Sequence, residues 1–237
     1  MTDTSSENAD TLPRSARKFA TLTRWVIWLL YAQIAIAIAA IVSNYLEYAF
    51  LSDLAYGVYD NDQIRGHNEE SASHLRQLVV SVVGIVLAIV CGILILIWIH
   101  RANRNVRQLG AEDMQFTPGW AVGWHFIPIA NLWKPYQAVV EIWKASADPL
   151  NWQEQARPNV LPWWWVTWIL AWVVQQASAR LFRNAYEIGE FLAANVFSQC
   201  ALVLFIALCI VFLRIVTNIA VMQNAHFQNP PARNIAD

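Results

Sequence analysis

Charge is what this sequence has least of. Asp, Glu, Lys and Arg make up only 14% of its 237 residues, where soluble domains carry roughly 25%. A water-soluble fold needs polar surface over its core, so this scarcity excludes an ordinary soluble domain. The net charge is −1, and no basic field points to nucleic acid. Cysteine is scarce too. Cys91, Cys200 and Cys209 lie inside apolar runs without metal-ligand or disulfide spacing, which reads as three small packing residues. No His-Glu-x-x-His, Gly-x-Ser-x-Gly or phosphate-cradling glycine loop occurs. Nothing therefore points to an enzyme, a resident cofactor or a metal. His100 and His125 are capable of metal or haem ligation, but nothing brings them together, and they read as interfacial polar residues. Ionisable residues avoid the middle of the apolar runs: Glu47, Arg180 and Arg214 all stand near run ends.

What is abundant is apolar. Hydrophobic residues reach 57%, with 13 tryptophans, a residue that favours the membrane–water boundary. The first apolar run, Trp25 to Val42, is 18 residues long and broken only by Gln33. It exceeds the roughly 7–15 residues of a signal-peptide core, so it reads as a spanning helix. Leu78 to Ile99 follows with 22 uncharged residues, enough to cross a hydrocarbon core of about 30 Å. A third run starts at Leu161, carries Trp164, Trp168 and Trp172 at helical spacing, and leans on Gln175 to Ala179 for its length. A fourth covers Ala193 to Leu213, with Asn195, Ser198 and Gln199 near its start. The pattern predicts an all-α polytopic membrane protein. Its membrane domain covers 21–222, with four transmembrane helices at about 25–46, 77–99, 161–181 and 192–214. Residues 1–20 and 223–237 are expected as cytoplasmic tails, the first disordered, and 47–76 as a polar loop. Ala35, Ala39 and Ser43, and separately Gly84, Ala88 and Gly92, form small-residue strips through which the first two helices are expected to pack.

Segment 118–147 is the unusual part. Trp120 to Ala130 is too short to cross a bilayer and contains Pro128, which interrupts a helix. From Pro135 onward the pattern is amphipathic. Tyr136, Val139, Val140 and Trp143 fall on one face, with Gln137, Glu141 and Lys144 opposite. The segment reads as helices lying in, or dipping into, the cytoplasmic interface. Asn131 is expected to cap the second of them.

Cations set the orientation, because Lys and Arg accumulate in cytoplasmic loops. Four spans with both ends inside put twelve of the 16 cations in the cytoplasm and leave Arg65, Arg76, Arg180 and Arg183 outside. A fifth crossing at 120–140 would reduce the bias to nine against six and strand Lys134 in the membrane.

Three blocks carry a resemblance: Pro118-Gly119-Trp120-Ala121-Val122-Gly123-Trp124, Phe126 to Tyr136, and Glu141-Ile142-Trp143-Lys144-Ala145-Ser146. With Arg101-Ala102-Asn103-Arg104-Asn105 and the Trp-rich start of the third span, they resemble the bacterial membrane proteins grouped as domain of unknown function 4328. The likeness covers roughly residues 20–220. It implies a bacterial inner membrane and no assigned activity. His125 departs from the large aromatic residue expected there.

The residues suited to recognition are Trp120, Trp124, Asn131, Trp133, Tyr136 and Trp143 in the interfacial segment, with Arg101, Arg104 and Arg107 as a cationic collar. They suit anionic lipid headgroups or a partner protein, in a scaffold or sensing role. The rival reading is a small-solute transporter with a pathway between the third and fourth spans, near Gln175, Gln176, Asn195 and Gln199.

Overall fold

The computed structural model of the chain describes residues 14–57 and 63–229, and every regular element among them is helical. Six α-helices follow in order: α1 (Arg14–Ala55), α2 (Gln63–Gln108), α3 (Pro118–Gly123), α4 (Lys134–Ala147), α5 (Val160–Asn184) and α6 (Ile188–Gln228). Short 3₁₀ turns occupy Trp124–Phe126, Ala130–Leu132 and Trp152–Glu154. Three helices are long and apolar enough to cross a membrane: Ser15–Ala55, His67–Gln108 and Ile188–Gln228. In the second, only 17% of the most apolar stretch is buried inside the protein, a surface that lipid solvates and water does not. On this composition and length the chain is a membrane protein. Helix α5 has 25 residues, but its tryptophans and the polar Gln175, Gln176, Arg180 and Arg183 leave it outside that group.

The helices outrun the apolar runs that announced them. α1 begins at Arg14, inside the segment expected as a tail, because Ala16 and Phe19 are fully buried. The expected loop 47–76 is helical through Ala55 and again from Gln63. α6 continues to Gln228, past the expected boundary at 222, with Gln223 fully buried. An apolar run measures hydrocarbon thickness, whereas a helix continues wherever its flanks find packing. Residues 1–13, 58–62 and 230–237 of the expected tails and loop lie outside the described residues.

The described chain divides into two compact units. The first takes 14–28, 91–162 and 212–229. Here Phe19 stacks on Trp98 with ring centroids 5.8 Å apart, and the Trp98 indole N–H donates to Thr23 Oγ1 at 3.0 Å. Asn105 Nδ2 donates to Gln223 Oε1 at 3.1 Å, and Gln223 Nε2 donates to Ser146 Oγ at 2.9 Å and to the Ala102 carbonyl at 3.2 Å. These bonds tie α2, α4 and α6 together and leave this fully buried amide satisfied. Val106, Ala111, Met114 and Ala145 form a small apolar core, with Trp152 against it.

The second unit takes 29–57, 63–90 and 163–211. A chain of amides links α1, α2 and α6. Gln77 Nε2 donates to Asn44 Oδ1 and to Glu47 Oε2, and Asn44 Nδ2 donates to Ser198 Oγ at 3.1 Å. Asn195 Nδ2 donates to the Asn44 carbonyl and to Glu47 Oε2, and itself accepts from Gln199 Nε2 at 2.8 Å. The expected small-residue seam is not built. Ala35, Ala39 and Ala88 are exposed, and a Cβ on Gly92 would meet nothing within 4 Å. Only parts of the two strips meet the other helix: a Cβ on Gly84 would stand 3.9 Å from Ile36 Cγ1, and Ser43 Oγ accepts from Arg76 Nε at 3.1 Å. The inward stripe of α1 is Leu30, Gln33, Ala37, Ser43 and Asn44, so of the expected α1 strip only Ser43 faces inward. Cys91 and Cys209 are buried packing residues as expected, but Cys200 is exposed.

Candidate functional site

Helix α2 ends shortly before the candidate segment 118–147. Its stop is a Schellman cap: Ala111 N–H donates to the Val106 carbonyl and Gly110 N–H to the Arg107 carbonyl. Gly110 sits at φ 108°, where L side chains are strained. The chain then forms a strap through 114–117 that bends at Gln115 and Phe116 and has neither helix nor strand around it, so its backbone groups need other partners. Side chains supply them. Glu141 Oε1 accepts from the Gln115 N–H at 2.6 Å, and Oε2 accepts from the Phe116 N–H at 3.1 Å. Arg107 Nη2 donates to the Met114 and Phe116 carbonyls at 3.1 and 3.0 Å. Asn103 Nδ2 donates to the same Phe116 carbonyl at 3.0 Å, while its Oδ1 accepts from Arg107 Nε. The strap is thus held on its N–H side from α4 and on its carbonyl side from α2.

Glu141 is 6% exposed. Burial pushes its carboxyl above the usual range, against the two amide hydrogen bonds and the nearby Arg107 charge, which pull it down. It lines a groove of about 360 Å³ with Phe116, Tyr136, Lys144, Trp152 and Arg157. The expected arrangement of α4, with Glu141 facing away from the packed side, is therefore corrected. The buried side carries Ala138, Val139, Glu141, Ile142, Ala145 and Ser146. Small residues let the neighbouring backbone close in there, and the strap's two amides offset the desolvation of the carboxylate.

After the strap, Thr117 caps α3, its Oγ1 accepting from the Trp120 N–H at 3.3 Å. Trp120 and Trp124 then pack with centroids 5.0 Å apart. Lys134 Nζ lies 5.5 Å from the Phe116 ring centroid and 5.6 Å from that of Trp124, a paired cation–π contact. Burial holds the His125 imidazole below its usual range, against backbone hydrogen bonds to Val122 and Ala121 that raise it. Around Pro128 the backbone closes on itself in short turns: Asn131 N–H donates to the Ile127 carbonyl at 2.8 Å, and Trp133 N–H to the Ala130 carbonyl. Between 120 and 133 a rim of large apolar side chains is left uncovered, with Phe126 and Ile129 each 72% exposed and Trp120 53%.

Of the residues expected to act, Trp120 and Trp133 are exposed on this rim, and Trp124 is half-buried beneath it. Tyr136 lines the groove, and Trp143 is half-buried on α4. Asn131 does not cap α4. It lies in the Ala130–Leu132 turn, and the cap position is Trp133, which makes no side-chain bond there. The collar divides. Arg104 is exposed, Arg101 donates to the Lys18 carbonyl at 3.4 Å, and Arg107 is consumed in holding the strap. Glu141, Asn103 and Lys134 were missed, although Ala138, Ile142 and Ala145 at helical spacing mark the side on which Glu141 falls. Among the rival transporter residues, Gln176 is exposed, Asn195 and Gln199 belong to the amide chain, and Gln175 lines a separate cleft in the second unit.

The model of the family described as Domain of unknown function (DUF4328) matches residues 64–221. No curated protein and no solved structure matches the chain. The match takes in α2's apolar stretch, the strap, the aromatic rim, α4, α5 and most of α6, and leaves α1 outside. Spanning about two thirds of the sequence, it shows that this chain belongs to the DUF4328 family.

Proposed function

We propose that this protein is a non-enzymatic module of the bacterial inner membrane whose 120–133 rim rests at headgroup depth and binds lipid. The carrying observation is the rim itself: Trp120, Phe126, Ile127, Ile129, Leu132 and Trp133 are all more than a third exposed within one short segment. Water would reject such a surface, and the acyl–headgroup boundary accepts it. The backbone there bonds to itself turn by turn and breaks at Pro128. That suits a boundary layer that still offers water, not the hydrocarbon centre. Arg104 and Lys134 supply cations for anionic headgroups. The strap held by Glu141 and Arg107 gives the rim a fixed base, as a scaffold or sensor requires. In this reading α5 is a fourth span and both termini are cytoplasmic, as the distribution of cations favours.

Depth is measurable. With Cys91, Cys200 and Cys209 replaced by Ser, nitroxide labels at Phe126→Cys and Ile129→Cys in anionic bilayers should be relaxed more by dissolved oxygen than by a water-soluble nickel complex. Charging the rim as Phe126→Asp with Ile129→Asp should release that contact. Labels relaxed as fully by nickel as an exposed label at Glu112→Cys would refute the proposal.

A further inference from the structure

The second unit contains a cleft of about 520 Å³, all of its lining drawn from that unit. This falls within the range of small-molecule sites, roughly 300–1,000 Å³. Its floor includes Gln33, the single polar interruption of the first apolar run, only 3% exposed. Gln33 Nε2 is fully buried and has no hydrogen-bond partner. Eight residues beyond Trp25, it stands roughly 12 Å into an apolar stretch, where no water compensates an unmade bond. The other buried amides of these helices bond across to a neighbour, whereas an unpartnered one is costly unless an occupant satisfies it.

The walls limit the occupant. No Lys, Arg, Asp or Glu lines the cleft. Just beyond it Glu47 accepts from the lining residue Gln77 at 2.9 Å, which disfavours an anion. Ala37, Ala40, Gly84 and Ala88 keep the walls low. Ile85, 59% exposed, and exposed Ala88 stand at the mouth, within the long uncharged run of α2. The cleft therefore opens toward acyl chains. Asn44, Gln77, Ser81, Gln175 and Ser198 also line the cleft and can hold water, but water at those groups would leave the apolar walls bare, and those walls favour an occupant with an apolar body.

We propose that this cleft binds a neutral lipophile through a carbonyl oxygen, which accepts from Gln33 Nε2 once that side chain turns toward the cleft, while the apolar body lies against α2. Both a quinone ring and an acyl ester present that chemistry. The site is independent of the 120–133 rim, and its failure would leave the rim untouched.

The test uses the full chain in detergent, with its thermal midpoint read as loss of the monodisperse species. The probes are decylubiquinone for the ring carbonyl, dioctanoylglycerol for the ester, and decylbenzene, which has none. At least one carbonyl probe should raise the midpoint in a saturable way, and decylbenzene should not. A response to the quinone alone identifies the ring, and to the glyceride alone the ester. Gln33→Leu should weaken the apparent Kd about tenfold, the worth of one neutral hydrogen bond. Ala88→Trp, at the exposed mouth and harmless to folding, should abolish the response. Silence from both carbonyl probes, or unchanged binding by Ala88→Trp, overturns the proposal. So does unchanged binding by a folded Gln33→Leu.

Discussion

Glu141 shows how one side chain can stand in for a missing strand. Its two oxygens receive adjacent backbone N–H groups at 2.6 and 3.1 Å. Glu141→Gln keeps one acceptor and turns an N–H2 toward the other amide, which costs about 1–3 kcal/mol at a buried group. Hydrogen exchange should show it directly, with the Gln115 or Phe116 amide exchanging about tenfold or more faster than in the wild type. The pH dependence has a definite sign. Burial raises the Glu141 carboxyl above 4.5, so the folded protein holds that proton more tightly than the unfolded chain. The group's contribution is fullest below 4.5 and is lost as pH rises through the folded value. A glutamine does not titrate. The stability gap between wild type and Glu141→Gln should therefore narrow as pH climbs from 4.5 toward 7, and a gap that widens would contradict the assignment. From the sequence Glu141 looked like a solvent-facing charge, because amphipathic patterning sorts residues by polarity alone. Its partners, the amides of 115 and 116, have no side-chain signature.

At the scale of elements, helix ends were the least legible feature. The apolar run Trp25 to Val42 locates α1 but not its 42-residue length. The extra turns depend on Phe19 meeting Trp98 and on residues such as Gln223 finding partners, contacts between segments far apart in sequence. The end of α2 was not read either: the expected second span stops at 99, although Gly110 after a basic last turn is a common stop. Two glycines of that region should respond oppositely to alanine. At Gly110 the positive φ is strained for alanine, and a Cβ would stand 3.0 Å from Leu150 Cδ2. Gly110→Ala should cost about 1 kcal/mol or more. At Gly92, inside the helix with nothing within 4 Å of a Cβ, alanine should be neutral or stabilising by up to about 1 kcal/mol. Thermal unfolding of the two variants in one detergent makes the comparison, and a like sign for both would refute it. Gln33, by contrast, was visible at once as an interruption. Only the cleft around it gives the interruption a meaning.

For the whole molecule, the membrane character and the all-helical class were legible because long apolar runs admit few other structures. The status of α5 was not, because tryptophan and glutamine dilute its apolarity. One measurement decides it. With the amino terminus inside and α1 and α2 crossing, a crossing α5 returns the carboxyl terminus to the cytoplasm, and a non-crossing α5 leaves it outside. Alkaline phosphatase fused at the carboxyl terminus should be inactive and a fusion after Ala185 active. The reverse pair would mean three spans. The strap has a consequence for how such a molecule is made. The Gln115 and Phe116 amides leave the ribosome 26 and 25 residues ahead of the carboxylate that receives them. Until α4 has been synthesised and has folded back, the corner after α2 has no lasting shape. The aromatic segment is thus made before its base exists and is locked only afterwards, so a nascent chain arrested before residue 141 would present its tryptophans without a fixed footing.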